Sequence, residues 1–505
     1  VARRLERELA LLAQRLRTKT VENILINCTS RETRVAILVD GVLQDLFIER
    51  TKARGLVGNV YWGRIVRVLP GMQSAFVDVG LERTAFLHVS DMPEAHQEEG
   101  TVLPIERILH EGQSVMVQVS KDPIGTKGAR LTTVVSLAGR KLVYLPGDNH
   151  IGVSQRIESE EQREALRAMM TALRPPEEKG GYIIRTSAEE GATEQEFLND
   201  MAYLGRLWGN IKERAGKSQA PSLLYQDLYL DQRVLRDMVH QNTASVEVDK
   251  PEAYEKLMDF AERFVPIAKD RLKLYEGDLP LFELNGVERE IDRALQRRVD
   301  LKSGGYLVFD QTEAMTTIDV NTGAYVGKRD FSDTVFKTNL EAAQTIARQL
   351  RLRNLGGIII VDFIDMSCDE HREAVLTELR NAISTDRTRM TVSNFTELGL
   401  VEMTRKRTRE SLAHVLCEPC PMCEGRGEIR TARTMCYEIM REIVRLNKQY
   451  RQTKEFRIVA SRSVIDMLME EESQALEILQ AAVEKPVQLE LETGYSQEQY
   501  DVILA

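Results

Sequence analysis

Two aspartates stand at the ends of stretches that read as β-strands. In "MTTIDVNTG" (315–323), Asp319 and Asn321 lie two residues apart, and "GGIIIVDFIDM" (356–366) closes an aliphatic run on Asp362. Period-2 geometry turns Asp319 and Asn321 to one face of a strand. A strand–helix–strand unit would set Asp319 and Asp362 at neighbouring strand ends, where two carboxylates repel unless a cation sits between them. Few carboxylate oxygens and open water positions suit Mg²⁺, which also takes phosphate oxygens as ligands. Such an ion polarises a phosphodiester and lowers the pKa of an attacking water. Each residue also has a plainer reading: Asp319 as a turn or cap residue, Asp362 as a strand-end solubiliser, Asn321 as an Asx turn before Gly323. Asp365, three residues beyond Asp362, is expected to face elsewhere.

A second constellation is "HVLCEPCPMCEGRG" (414–427). Structural zinc takes four ligands in a tetrahedron. His414, Cys417, Cys420 and Cys423 are spaced by three and could wrap one Zn²⁺ within the chain. Alternatively, Cys420 and Cys423 form a C-x₂-C hook whose missing half comes from a second copy. The other cysteines, Cys28, Cys368 and Cys436, are isolated and supply no second hook. Six cysteines in 505 residues make no disulfide framework, which points to a reducing cytoplasm and a metal site.

Positioning these groups needs several domains, because 505 residues exceed one hydrophobic core. With 43% hydrophobic and 29% charged residues the composition is that of a soluble globular protein, and no apolar run is long enough to span a bilayer. The net charge of −10 argues mildly against nucleic acid, but the charge is uneven. "RQLRLRN" (348–354) and "TRKRTR" (404–409) are strongly basic, and either run taken alone reads as a solvated face. The leader, residues 1–22, has Leu5, Leu9, Leu12 and Leu16 at helical spacing and lacks a signal-peptide pattern. Alternating strands with a turn at Asp40–Gly41 follow. Glycine-punctuated short strands over 57–140 suggest a small closed barrel. Residues 141–231 read as mixed α/β, 232–300 as mainly helical, and the region from 301 as an α/β layer with a long helix at "TNLEAAQTIARQLRLRN". A small α/β tail ends the chain.

Together, "MTTIDVNTGAYVG", "NLEAAQTIARQLRLRNLGGIIIVDFIDM", "GLVEMTRKRTRESL" and "CPMCEGRG" resemble the ribonuclease E/G family over nearly the whole chain from residue 23. The resemblance is to the G type, which lacks the disordered C-terminal scaffold of the E type. It implies a Mg²⁺-dependent endoribonuclease that hydrolyses single-stranded, A/U-rich RNA to 5′-phosphate and 3′-hydroxyl ends, is stimulated by a 5′-monophosphate, and acts in ribosomal RNA maturation and messenger RNA decay in the cytoplasm. The implied architecture is an RNase H-like domain split over 23–56 and 232–294, an OB-fold RNA-binding domain at 57–140 and a 5′-phosphate sensor region at 141–231. A DNase I-like catalytic domain at 295–416, a zinc-link at 417–431 and a small oligomerisation domain at 432–505 complete it.

Carried over by residue, Asp319 and Asp362 are the Mg²⁺ ligands, and Asn321 positions the scissile phosphate or its attacking water. Phe76 in "AFVDVG", Phe86 in "AFLHVS" and Lys127 in "GTKGAR" are RNA-binding. On the residues alone, either Phe would be read as barrel core. Gly139 and Val143 in "AGRKLVYLP", with Arg185 and Thr186 in "GYIIRTS", form the 5′-phosphate pocket. The resemblance favours the zinc shared by Cys420 and Cys423 of two subunits, with dimers that can pair into tetramers. Cys417 is then a bystander or auxiliary ligand. Two other classes compete on the residues alone: a non-catalytic RNA-binding or assembly protein, and a DNA nuclease. The set Asp319, Asn321 and Asp362 opposes the first; cleavage of RNA against matched single-stranded DNA decides the second.

Overall fold

The computed structural model describes residues 21–505 apart from 52–53, 94–102, 124–126, 158, 176–179, 190 and 324–330. The helix expected over 1–22 lies outside the described residues but for its last two, and Glu22 opens a strand. Two compact units divide at residue 412. Among the described residues no helix is long and apolar enough to cross a membrane.

The larger unit begins with a five-stranded sheet whose strands come from two distant stretches. Glu22–Cys28, Glu32–Val39 and Val42–Arg50 run antiparallel, and Glu22–Cys28 also pairs parallel with Thr243–Val248, which carries Leu272–Leu274 on its far side. The turn at Asp40 (φ 50°) and Gly41 (φ 76°) has positive φ at both positions, as a two-residue hairpin requires. Helices Leu230–Met238 and Pro251–Phe264 cover the sheet, burying Val234, Leu235, Leu257 and Phe260 against Ile24, Ile26, Val246 and Val248. The region 232–300, expected to be mainly helical, thus also supplies two strands of this sheet, and a third strand, Arg298–Asp300, to another. The apolar runs of the first two are too short to show a period.

Between those two stretches lie a barrel and a small α/β layer. Val60–Leu69, Ser74–Asp78, Ala85–His88, Arg130–Thr132 and Ser114–Lys121 form a five-stranded barrel, closed by pairing of the first with the last. Its interior is filled by Ile65, Ala75, Val77, Ala85, Leu87, Val117 and Leu131. Ser222–Tyr225 adds to the outer edge of Val60–Leu69. The α/β layer holds Leu137–Ala138, Leu142–Leu145, Gly181–Ile184 and Ile151–Val153 under helices Glu160–Leu173 and Glu194–Lys217. The latter helix starts on a reciprocal cap between Thr193 and Glu196.

A six-stranded sheet ends the larger unit, in the order Arg298–Asp300, Tyr306–Gln311, Met315–Asn321, Gly357–Asp362, Leu400–Arg405, Met390–Phe395. Every neighbouring pair is antiparallel except Met315–Asn321 with Gly357–Asp362, which the helix Phe331–Leu352 connects. A parallel pair needs such a crossover, and here alone in the sheet two adjacent strands finish at the same edge. Neither basic run is simply a solvated face. Arg353 and Arg405 are 7% and 5% exposed, and the Arg409 guanidinium lies 4.1 Å over the Phe47 ring.

The smaller unit sets helices Ala432–Gln449, Arg462–Met469 and Ser473–Val483 with a three-stranded sheet ordered Val487–Leu491, Phe456–Ala460, Tyr500–Leu504. Met435, Ile439, Phe456, Ile458 and Leu468 form its core.

Candidate functional site

Asp319 and Asp362 are register partners at the shared edge of the one parallel pair. Neighbouring strands lie about 4.8 Å apart, so the two carboxylates meet as the sequence suggests. Along Met315–Asn321 burial alternates, with Thr316, Ile318 and Val320 inside and Asp319 exposed on the opposite face. Asn321 shares that face and donates from Nδ2 to Asp319 Oδ2 at 2.8 Å. The turn after it needs glycine: Gly323 has φ 62°, and a Cβ there would run into the Gly304 carbonyl oxygen.

The Asp362 carboxyl is pushed above the ordinary aspartate value, first by partial burial, then by the negative charges of Asp319 and Asp365. Among the described residues, none of the charges acting on it is positive. Asp365 is near enough for its charge to act on Asp362, but among the described residues it makes no group of three with Asp319 and Asp362. The strand stops at Asp362, so alternation no longer governs the next residues. Two anchors shape that loop. Phe363 and Met366 enter the core. Ile364 is held by its backbone: Asn339 Nδ2 donates to its C=O at 2.8 Å, and its N–H donates to Asn339 Oδ1 at 3.1 Å. Asn339 is 0% exposed in the crossover helix, and nothing in its sequence context marks it.

This donor set fits Mg²⁺. Two carboxylates converge with an amide beside them, and a cation that keeps several waters asks for no more protein ligands. No group of three or more His, Cys, Asp or Glu side chains arranged for a metal occurs among the described residues.

The same observation bears on the cysteines. The four-ligand arrangement of His414, Cys417, Cys420 and Cys423 within one chain is not formed. Cys420 and Cys423 do come together on the turn that Gly425 and Gly427 allow, both at positive φ. The backbone N–H groups of Gly427 and Gly425, then the neighbouring Cys420, hold the Cys423 thiol below its usual pKa. A lowered thiol pKa favours the thiolate that binds metal. The pair fits half of a Cys₄ site.

On the barrel, Phe76 and Phe86 are cross-strand partners with ring centroids 6.2 Å apart, edge to face. They are not core residues. Ala75, Val77, Ala85 and Leu87 point inward, and both rings stand half-exposed on the outer face. Register extends the row on both sides, to Arg67 opposite Phe76 and to Arg130 opposite Phe86. Lys127 is exposed on the segment leading into Arg130. Arg67, unmarked in the sequence, is a cation set directly across from an aromatic ring, as Arg130 is.

The α/β layer gathers the third set. A tight turn takes Gly139 N–H to the Leu142 carbonyl at 2.8 Å, and the Arg185 N–H bonds the Lys141 carbonyl at 2.8 Å. Gly139, Arg185 and Thr186 thus share one corner, with Val143 half-buried on the strand beside Ile183. Arg185 Nη1 donates to the Gly139 carbonyl at 2.5 Å and to Asp237 Oδ1 at 2.8 Å. Thr186 Oγ1 lies 3.3 Å from Ser154 Oγ. Asp200 underpins the turn by accepting from Lys141 N at 2.6 Å and Leu142 N at 2.9 Å, and a Cβ on Gly139 would meet its Oδ2 at 2.6 Å. Burial pushes the Asp200 pKa up against the pull of those N–H groups.

Comparison with known proteins agrees over most of the chain. Residues 136–408 match the family model described as ribonuclease E/G family, and 419–504 match the RNase E/G thioredoxin-like domain. The chain is 52% identical over 488 residues to ribonuclease G of Salmonella typhimurium, covering 95% of this chain and 99% of that protein. The same identity and coverage hold for ribonuclease G of Escherichia coli K12. Ribonuclease E of Haemophilus influenzae is 37% identical over 462 residues, 90% of this chain but 49% of that protein.

Proposed function

The chain belongs to the ribonuclease E/G family, and from that premise we infer how its parts divide the work of a Mg²⁺-dependent endoribonuclease that cleaves single-stranded RNA in RNA processing and decay. The observation that carries the catalytic reading is the in-register pair Asp319 and Asp362. These two carboxylates hold Mg²⁺. Bound there, the ion supplies polarisation of the scissile phosphodiester and a lowered pKa for the attacking water. Asn321 fixes the Asp319 carboxylate through its Nδ2 and turns its remaining amide atoms to the phosphate or the water. Hydrolysis breaks the P–O3′ bond, leaving a 3′-hydroxyl and a 5′-phosphate.

The barrel is an OB-fold domain that takes up the single strand. Phe76 and Phe86 offer π-faces to unstacked bases, and Lys127 and Arg67 meet the phosphates. Stacking of this kind contributes about 1–3 kcal/mol per base and tolerates any sequence. Gly139, Val143, Arg185 and Thr186 bind a 5′-monophosphate, with Arg as a fork for its oxygens. An anchored end raises the local concentration of downstream strand at the carboxylates. The split five-stranded sheet is the RNase H-like domain and the six-stranded sheet the DNase I-like one. Cys420 and Cys423 meet the same pair of a second copy on one Zn²⁺, making a dimer in the cytoplasm.

One experiment tests the catalytic and end-sensing readings together. A short single-stranded RNA carrying either a 5′-monophosphate or a 5′-hydroxyl is incubated with the protein in Mg²⁺ and in chelator. Internal cleavage that requires Mg²⁺ and runs faster on the monophosphate is the expected result. Cleavage indifferent to the 5′ end removes the sensor. Asp362→Asn protein that binds RNA but still cuts at the parent rate removes the metal assignment.

A further inference from the structure

The partner of Arg185 is a residue that the family motifs do not include. Asp237 sits near the end of the helix Leu230–Met238, outside the α/β layer that holds Gly139 and Thr186. Its carboxylate takes the preceding Arg236 as a bidentate fork, Oδ1 from Nε at 3.0 Å and Oδ2 from Nη2 at 2.9 Å. The same Oδ1 receives Arg185 Nη1 at 2.8 Å. That nitrogen also bonds the Gly139 carbonyl at 2.5 Å. Both hydrogens of Nη1 are therefore taken, and the described bonds leave Nε and Nη2 of Arg185 for a ligand. Arg236 is itself fixed at 8% exposure, with Nη1 on the Ala138 carbonyl at 3.1 Å.

From this we propose that Asp237 is a positioning residue for the 5′-end pocket, locking the Arg185 guanidinium in the rotation that presents Nε and Nη2 to a terminal phosphate. A free arginine side chain loses rotamer entropy on binding. Here that ordering precedes the ligand. The carboxylate also offsets part of the cationic charge, since Arg185, Asp237 and Arg236 together carry one positive charge. That weakens capture of internal phosphodiesters, which bear one negative charge, relative to a terminal monophosphate bearing nearly two. The helix end is held in turn by the neighbouring domain: Arg387 Nη1 donates to the Asp237 carbonyl at 3.2 Å.

The proposal rests on the reading of Gly139, Arg185 and Thr186 as a 5′-phosphate pocket, and the test separates the two. The quantity read is the ratio of kcat/KM for 5′-monophosphate over 5′-hydroxyl RNA, measured in the same preparations, so a loss of folded protein cancels. Parent, Asp237→Asn, Asp237→Glu, Arg185→Ala and the double variant Arg185→Ala with Asp237→Asn are compared. Asp237→Glu keeps a counter-charge for Arg236 and moves the oxygens by one methylene, so it guards against a poorly folding amide variant. Both Asp237 variants are expected to lower the ratio about tenfold, mainly through KM on the monophosphate substrate, and the double variant to fall no further than Arg185→Ala. If Arg185→Ala lowers the ratio and the Asp237 variants keep it, the positioning role is overturned while the pocket stands. If Arg185→Ala keeps the parent ratio, the pocket reading fails and the positioning role fails with it.

Discussion

Asn339 grips the backbone of Ile364 at two points, donating to its C=O at 2.8 Å and accepting its N–H at 3.1 Å. The grip lies between the crossover helix and the loop that leaves Asp362, so it ties the two halves of the parallel unit that sets the carboxylates side by side. Asn339→Leu removes both bonds and strands two backbone groups, at a cost of about 1–3 kcal/mol. We expect the Mg²⁺ concentration for half-maximal cleavage to rise several-fold and hydrogen exchange at residues 362–366 to accelerate. Thr338→Val is the control. It breaks a buried hydroxyl bond to the Thr334 carbonyl at 2.9 Å and should leave the Mg²⁺ dependence in place.

Two buried arginines from the two basic runs should respond in opposite ways. Arg405 pairs with Asp386 at 2.9 Å, both side chains at 5–6% exposure, and Nη1 reaches the Leu355 carbonyl at 2.9 Å. Arg405→Met leaves a buried carboxylate, which costs about 3–5 kcal/mol. Arg353 bonds Gln349 and lies 4.5 Å over the Phe309 ring, its Nη2 buried with no hydrogen-bond partner, and burial pushes its pKa down to about 10. Arg353→Met should be neutral or stabilising by about 1 kcal/mol. Urea melts of both variants check the pair.

Asp237 gives stability a pH signature. Burial would raise its pKa, but the hydrogen bonds and charge of Arg236, then those of Arg185, outweigh it and hold the carboxyl below the ordinary value. A depressed folded pKa contributes stability that is complete above the unfolded value, about 3.9, and is lost as pH falls through the folded one. Asp237→Asn should therefore be less stable than the parent at pH 7, and the gap should close in denaturant melts taken below about pH 4.

The barrel face predicts which cation matters for binding. Phe86→Ala should weaken single-stranded RNA binding by about 1–3 kcal/mol. Arg67→Ala should weaken it less and flatten its salt dependence. Filter binding at two salt concentrations separates the two effects.

The cysteine hook predicts a stoichiometry. The parent should carry about half a zinc per chain, as two hooks on one ion require. Cys423→Ser should lose the metal and sediment as a smaller species. One full zinc per monomeric chain would falsify the shared site.

Much of this was legible because backbone rules act locally. The strands ending in Asp319 and Asp362 announce themselves by aliphatic content, and a helical run of the right length between them makes the pairing parallel. The Asp40–Gly41 turn is equally local. Phe76 and Phe86 were legible as aromatics but not as outward-facing ones, since alternation gives two faces and does not say which is wet. Asn339, Asp237 and Arg67 matter through partners 25, 52 and 9 residues away, and spacing along the chain carries no trace of such contacts. The solvated reading of the basic runs failed for the same reason: Asp386 and Phe309, which keep Arg405 and Arg353 inside, lie elsewhere in the sequence.

The split sheet has a consequence for how the chain is made. Glu22 meets Thr243 only after 221 further residues have been joined, which at about 5–20 residues per second takes roughly 10–45 s on the ribosome. Through that interval the first three strands present an unpaired edge, a hazard for pairing with another nascent chain. Meanwhile the barrel and the α/β layer emerge whole and can fold. The catalytic strands come later still, so the parts assigned to gripping RNA are complete before the part assigned to cutting it exists.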